Sequence, residues 1–189
     1  MRTSPAPIAH AAEALADSLR FAGPADQSLS RYFRAHRQLG QQERAFIAET
    51  VFAVLRRRRS LAFAAQSESP YLLVLAALVR VHGMSVRAVA ELVRDKDLPL
   101  LERIRAAKLD GEPVAVRVDL PDWLWARLAA QYGEDEGQRI AQSLLEAAPI
   151  DVRVNLLKAT RNEVLAKLRS AGLACEPTPY SPCGIRLAG

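Results

Sequence analysis

Ala148-Pro149-Ile150-Asp151-Val152-Arg153-Val154-Asn155-Leu156-Leu157-Lys158 is the stretch where the chain changes its period. Upstream of it, apolar residues recur three and four positions apart, the spacing of one helix face. From Asp151 to Leu156 polar and apolar residues alternate instead, as they do along a half-buried strand. Pro149 ends the helical part, because proline lacks the amide hydrogen that a continuing helix needs. The expected fold is therefore mainly α. A helical bundle over residues 1–147 is followed at 148–189 by a small, incomplete α/β unit of β-α-β-β order.

Downstream of the strand, Thr160-Arg161-Asn162-Glu163 is a capping box, with Thr160 at the N-cap and Glu163 at the third helical position. Val164, Leu165 and Leu168 are the buried face of that helix, and Gly172 follows its end. Leu173 to Glu176 and Ile185 to Leu187 are short strands around a turn from Pro177 to Gly184. A unit of about 40 residues is at the lower limit for folding alone.

Upstream, the helical pattern resolves into eight segments. An alanine-rich first helix, Ile8 to Phe21, is stopped by Gly23-Pro24. Ser28 is the expected N-cap of the second, in which Leu29 and Phe33 share a face. The third runs from Gln41 to about Arg58, with Phe46, Ile47, Val51, Val54 and Leu55 as its apolar stripe. The fourth, Tyr71 to His82, is apolar almost all round and is the expected central helix. Ser85 caps a fifth, and a sixth spans Leu98 to Lys108. Gly111-Glu112-Pro113 breaks the pattern. The seventh enters at Leu120-Pro121-Asp122-Trp123 and stops at Gly133. The eighth, Glu134 to Ala147, is acidic at its start, as the helix dipole favours.

The composition bounds what such a chain can do. Its 189 residues carry 26 Lys and Arg against 21 Asp and Glu, a net charge of +5. The charge is uneven: residues 1–108 hold 17 Lys and Arg against 10 Asp and Glu, and residues 109–189 hold 9 against 11. In the first part all but Lys96 and Lys108 are arginines. Arginine pairs bidentately with phosphate, so this half suits a polyanion such as RNA. A GC-rich genome that encodes its basic residues as arginine gives the same bias.

No apolar run approaches the ~20 residues of a membrane span. The positive start Met1-Arg2 lacks the apolar core of a signal peptide, so a cytoplasmic location is expected, with no membrane partner. Two cysteines, Cys175 and Cys183, make neither a disulfide framework nor an all-cysteine zinc site. His10, His36 and His82 have no ligand spacing between them, so no metal is expected.

No glycine-rich strand–turn–helix offers a nucleotide or methyl-donor cradle, and no nucleophile stands beside a base at a recognisable spacing. No catalytic residue and no cofactor are assigned within these residues. What remains is charge. Arg56-Arg57-Arg58-Arg59 fans around the end of the third helix. It is either a solvated, dipole-stabilised terminus or a phosphate clamp. Arg31, Arg34 and Arg37 fall at i, i+3 and i+6, one stripe of the second helix. Tyr32 lies beside them, placed to stack on a base. With Arg44, these residues form the candidate RNA-binding set. Cys183, between Pro182 and Gly184, reads as a small semi-buried turn residue.

Two stretches carry a family resemblance. Leu39 to Arg56, with Gln41-Gln42-Glu43-Arg44-Ala45-Phe46-Ile47 at its heart, resembles the second-to-third-helix region of NusB-like domains. Leu120-Pro121-Asp122-Trp123-Leu124, Tyr132-Gly133, Ala148-Pro149 and the string Val152-Arg153-Val154-Asn155-Leu156-Leu157-Lys158 resemble the linker of the RsmB/Sun family of RNA cytosine-5 methyltransferases. The resemblance implies a NusB-like RNA-binding domain, a short α/β linker, and an S-adenosylmethionine-dependent catalytic domain expected to follow and absent here. It implies ribosomal RNA as partner, with the protein's own catalytic domain as a second one. Arg153, Asn155 and Lys158 take a positioning role in it, either touching RNA or bracing the strand. Cys183 matches neither family cysteine, because no donor loop precedes it. The alternatives are a free-standing NusB-like antitermination-type module and a helical protein-binding scaffold whose arginines serve solubility.

Overall fold

The computed structural model describes residues 5–93, 97–146 and 148–187. The charged start Met1-Arg2, Lys96 and the boundary residue Ala147 lie outside the described residues. The chain divides into two compact units, Met1–Leu145 and Glu146–Gly189.

The first unit is built on α1 (Pro5–Ser18), α2 (Ala25–Ala35), α3 (Gln41–Arg56), α4 (Arg58–Ala65) and α5 (Pro70–Arg80). Its shorter helices α6 (Val86–Ala90), α7 (Leu98–Ala106), α8 (Val114–Arg117), α9 (Asp122–Tyr132) and α10 (Glu134–Ser143) follow. The apolar helix expected at the centre is there: every residue from Leu73 to Leu78 in α5 is fully buried. Ile8, Ala11 and Leu15 of α1 and Ile47, Val51 and Val54 of α3 join it in one core. A smaller cluster of Val118, Leu120 and Ala141 sits among α8, α9 and α10, with Trp125 and Leu128 packed on it. No single helix among the described residues is long and apolar enough to cross a membrane.

Three expectations are corrected here. The second helix begins at Ala25, directly after Pro24, and not at Ser28. Proline presets the backbone for a helix start, and Ser28 is buried inside the helix instead. That helix ends at Ala35, so Arg37 lies beyond it and the arginine stripe is two residues, not three. The expected third helix is two helices that break within the four-arginine run. Arg57, at φ −126° and ψ 33°, ends α3, and α4 starts at Arg58. The new N-terminus is capped from a distance. Asp119 accepts from both the Ser60 amide and the Ser60 hydroxyl, each at 2.7 Å. The short α8, directly after the Gly111-Glu112-Pro113 break, is not among the eight expected segments.

The second unit is β1 (Ile150–Arg153), α11 (Arg161–Ser170), β2 (Cys175–Pro177) and β3 (Gly184–Leu187). The expected β-α-β-β order is present, in an antiparallel sheet of strand order β1-β3-β2. Arg153 pairs with Gly184, and Asp151 with Arg186. Val154, Leu165 and Ile185 form its core, with Leu168 and Leu187 packed against them, so α11 covers one face of the sheet. The capping box holds: the Thr160 amide donates to Glu163 Oε2 at 2.8 Å, and the Thr160 hydroxyl accepts from the Glu163 amide at 3.3 Å. The Thr160 amide bond, joined by one from the Thr160 hydroxyl to the same Oε2 at 2.9 Å, holds the Glu163 carboxyl below its ordinary range. At the other end, Gly172 at φ 81° lets Leu173 donate back to Leu168 and Gly172 to Arg169, a Schellman motif. The first strand is shorter than expected. Asn155 Oδ1 accepts from the Leu157 amide at 3.1 Å and turns the chain after Arg153.

Candidate nucleic-acid interface

The candidate arginines separate by what their guanidinium groups already hold. Helix C-termini leave carbonyls without intrahelical partners, and arginine carries five donors. Arg57 donates to the Leu145 carbonyl at 3.0 Å. Arg59 donates to the Leu120 carbonyl and to Asp122 Oδ1, the latter at 2.7 Å. Arg58 places Nε and Nη2 on Glu68 Oε2 at 3.0 and 2.6 Å. Arg44 closes the loop after α2, donating to the Leu39 carbonyl at 2.9 Å and lying over the Phe33 ring. Arg80, outside the candidate set, clamps the end of α7 through the Ile104 and Ala107 carbonyls at 3.0 and 2.8 Å.

Among the described residues, Arg34, Arg37 and Arg56 are exposed and make no side-chain hydrogen bond or ion pair. Arg31 is exposed but reaches Asp17 at 3.2 Å and Ser28 at 3.3 Å. The run of four therefore presents one uncommitted cation, Arg56, and three that hold the helices together. Sequence spacing could not separate them, because the partners lie between 10 and 88 residues away.

Tyr32 is also engaged. Its ring stacks on His36 at 4.1 Å, its hydroxyl contacts His10 Nδ1 at 2.7 Å and donates to Glu13 Oε2 at 2.9 Å. Burial, reinforced by the Glu13 carboxylate, holds this hydroxyl well above the ordinary tyrosine range. His10, Glu13 and His36 each bring one ligand-type atom within 4.8 Å of the others. The Tyr32 hydroxyl already bonds two of the three, so the group acts as a polar clasp between α1 and α2. Spacing missed this group because its members come from two helices.

In the second unit, Arg153 and Lys158 are exposed and make no side-chain bond among the described residues. Asn155 lies in the turn and not on the strand, so it does not share a strand face with Arg153. Cys175 and Cys183 are free and partly buried. Among the described residues, the chain passes from β1 to α11 without a glycine and the sheet is antiparallel, so the second unit does not form the glycine-rich parallel strand–turn–helix cradle for S-adenosylmethionine.

The chain is similar to known proteins. Residues 120–189 match the ferredoxin-like domain of RsmF/B-like methyltransferases, a span that takes in α9 and α10 with the β-α-β-β unit. A 67-residue stretch is 34% identical to the ribosomal RNA small subunit methyltransferase B of Photorhabdus laumondii. That match covers 35% of this chain and 15% of the relative. The crystal structure of PH0851 superposes on the whole chain with a TM-score of 0.62 at 17% identity, over 49% of its own length, and so shares the fold. Residues 120–189 are thus similar to the ferredoxin-like domain of RsmF/B-like methyltransferases, and the resemblance to the N-terminal region of the RsmB/Sun family holds.

Proposed function

We propose that this chain is the RNA-binding N-terminal region of an S-adenosylmethionine-dependent ribosomal RNA (cytosine-5)-methyltransferase acting in the cytoplasm. Residues 1–147 form the NusB-like RNA-binding domain in this reading, and 148–189 the linker domain toward the catalytic domain. The match of residues 120–189 to an RsmF/B-like ferredoxin-like domain carries it. The described residues lack a donor cradle, so their part is to bind and present structured RNA. Arg34, Arg37 and Arg56 are the phosphate contacts of the helical unit, because their charges are not used internally. Arg153 and Lys158 supply those of the second unit.

The test is a fluorescence-anisotropy titration against a ribosomal RNA hairpin and a matched DNA duplex at two salt concentrations. A complex that prefers the hairpin and weakens steeply with salt is expected. Equal, salt-insensitive binding, or none to either, rejects the reading.

A further inference from the structure

The sheet face opposite α11 joins the candidate Arg153 to residues outside the candidate set. Side chains alternate across a strand, so Val154, Ile185 and Leu187 turn to the helix while Asp151, Arg153, Gly184 and Arg186 share the other face. On that face lies a cleft of about 380 Å³, in the small-ligand size range. The loop between β2 and β3 forms its wall. The Thr178 amide donates to the Gly184 carbonyl at 3.1 Å, which brings the loop back over the strand. Only glycine fits beneath it: a Cβ on Gly184 would meet Thr178 Oγ1 at 2.1 Å.

The charges inside the cleft do not balance. Arg186 is taken by Asp151 through two hydrogen bonds of 2.8 Å. Arg153, opposite Gly184, has no such partner among the described residues, so the cleft holds one free cation. The wall ends in Tyr180, which is 98% exposed and whose side chain has no ring or hydrogen-bond partner among the described residues. An unsupported aromatic plate beside an unpaired guanidinium, over a cleft of this size, suits a planar base joined to an anion.

We infer that this cleft holds one unpaired nucleotide of an RNA strand, its base against Tyr180 and its phosphate at Arg153. The inference rests on the RNA-binding reading and adds a site and a preference to it. A duplex hides its base faces, so the cleft selects loops, bulges or single strands.

The experiment uses the full chain and a single-stranded oligoribonucleotide containing one 2-aminopurine. Stacking on Tyr180 quenches the probe, and the wild type is expected to bind and quench. Tyr180→Ala is expected to abolish the quench and weaken binding about tenfold, the scale of one lost base–aromatic stack. Tyr180→Phe keeps the ring and is expected to keep both. Arg153→Gln is expected to weaken binding and to lower the salt slope by about one. Tyr180 is fully exposed, so its removal leaves the fold intact, which exchange protection of the Val154 amide verifies. A Tyr180→Ala chain that binds and quenches like the wild type overturns the inference and leaves the RNA reading standing. Absence of binding to single strand and hairpin alike overturns both.

Discussion

Asp119 accepts two hydrogen bonds from Ser60, one from its backbone amide and one from its hydroxyl, both at 2.7 Å. The two residues are 59 positions apart, and the contact lets the chain restart a helix directly after Arg57. Asp119 sits at φ 56°, a left-handed conformation that asparagine and aspartate tolerate better than alanine. Asp119→Ala is therefore expected to lower the stability of the helical unit by roughly 1–3 kcal/mol, since the Ser60 amide loses its acceptor and the Ser60 hydroxyl keeps only the Arg57 carbonyl at 3.3 Å. Asp119→Asn, which retains one acceptor oxygen and the backbone preference, is expected to lose less. Urea unfolding followed by tryptophan fluorescence measures both. Equal losses would assign the effect to something other than the cap.

The same contact sets a pH dependence. Burial raises the Asp119 carboxyl pKa, while the Ser60 bonds and the Arg57 charge pull it down only in part. A carboxyl raised in the folded state binds its proton more tightly there than in the unfolded chain. Its contribution is full below the unfolded value and is lost as pH rises through the folded one. Wild-type stability relative to Asp119→Asn is thus expected to fall as pH rises through and above the ordinary aspartate range. A difference that stays flat with pH would show that burial does not govern this carboxyl.

Asp151 behaves in the opposite sense. Its hydrogen bonds from Arg186 hold its carboxyl below the ordinary range. The contribution is present above the unfolded value and lost as pH falls through the folded one. Carbonyl-detected NMR titration is expected to give a depressed midpoint that returns toward normal in Arg186→Gln. An unchanged midpoint would mean that the pair is not formed in solution.

Patterns that depend on neighbours in sequence were legible; those set by distant partners were not. The apolar α5, the Thr160 capping box and the β-α-β-β order follow from local period and local bonds, and all three are present. The break at Arg57 was not legible, because its cause is Asp119 in a later loop. The candidate site suffered in the same way. A guanidinium on a carbonyl 88 residues away looks, in sequence, like one left in solvent. Much of the arginine bias thus serves helix ends. The cleft beside Tyr180 was hidden too, because strand register places Arg153 opposite Gly184.

Gly184 gives a direct test of how that loop is seated. Gly184→Ala adds a Cβ that would stand 3.2 Å from Thr178 Cβ and 3.0 Å from Ser181 Cβ as well as crowding Thr178 Oγ1. Thr178 is β-branched and restricted in rotation, so it yields little. The expected cost is about 1–3 kcal/mol, the range for overpacking. It should appear as faster hydrogen exchange at the Val154 amide, which donates to the Cys183 carbonyl at 2.9 Å. Unchanged protection would mean that the loop does not close over the strand as described.

Arg56 and Arg59 lie three residues apart and are expected to respond differently to the same substitution. Arg59 holds the Leu120 carbonyl and the Asp122 carboxylate, so Arg59→Gln removes bonds that tie α4 to the start of α9. It is expected to lower stability by roughly 1 kcal/mol or more, without a specific effect on RNA. Arg56 is exposed and uncommitted among the described residues, so Arg56→Gln is expected to leave stability within about 0.5 kcal/mol. Under the RNA-binding proposal it should weaken the hairpin complex and lower its salt slope by about one. Paired unfolding and anisotropy measurements on the two variants decide the assignment. If Arg59→Gln alone weakens RNA binding at unchanged stability, the internal bonds do not remove that residue from the interface. The division between structural and RNA-facing arginines then fails.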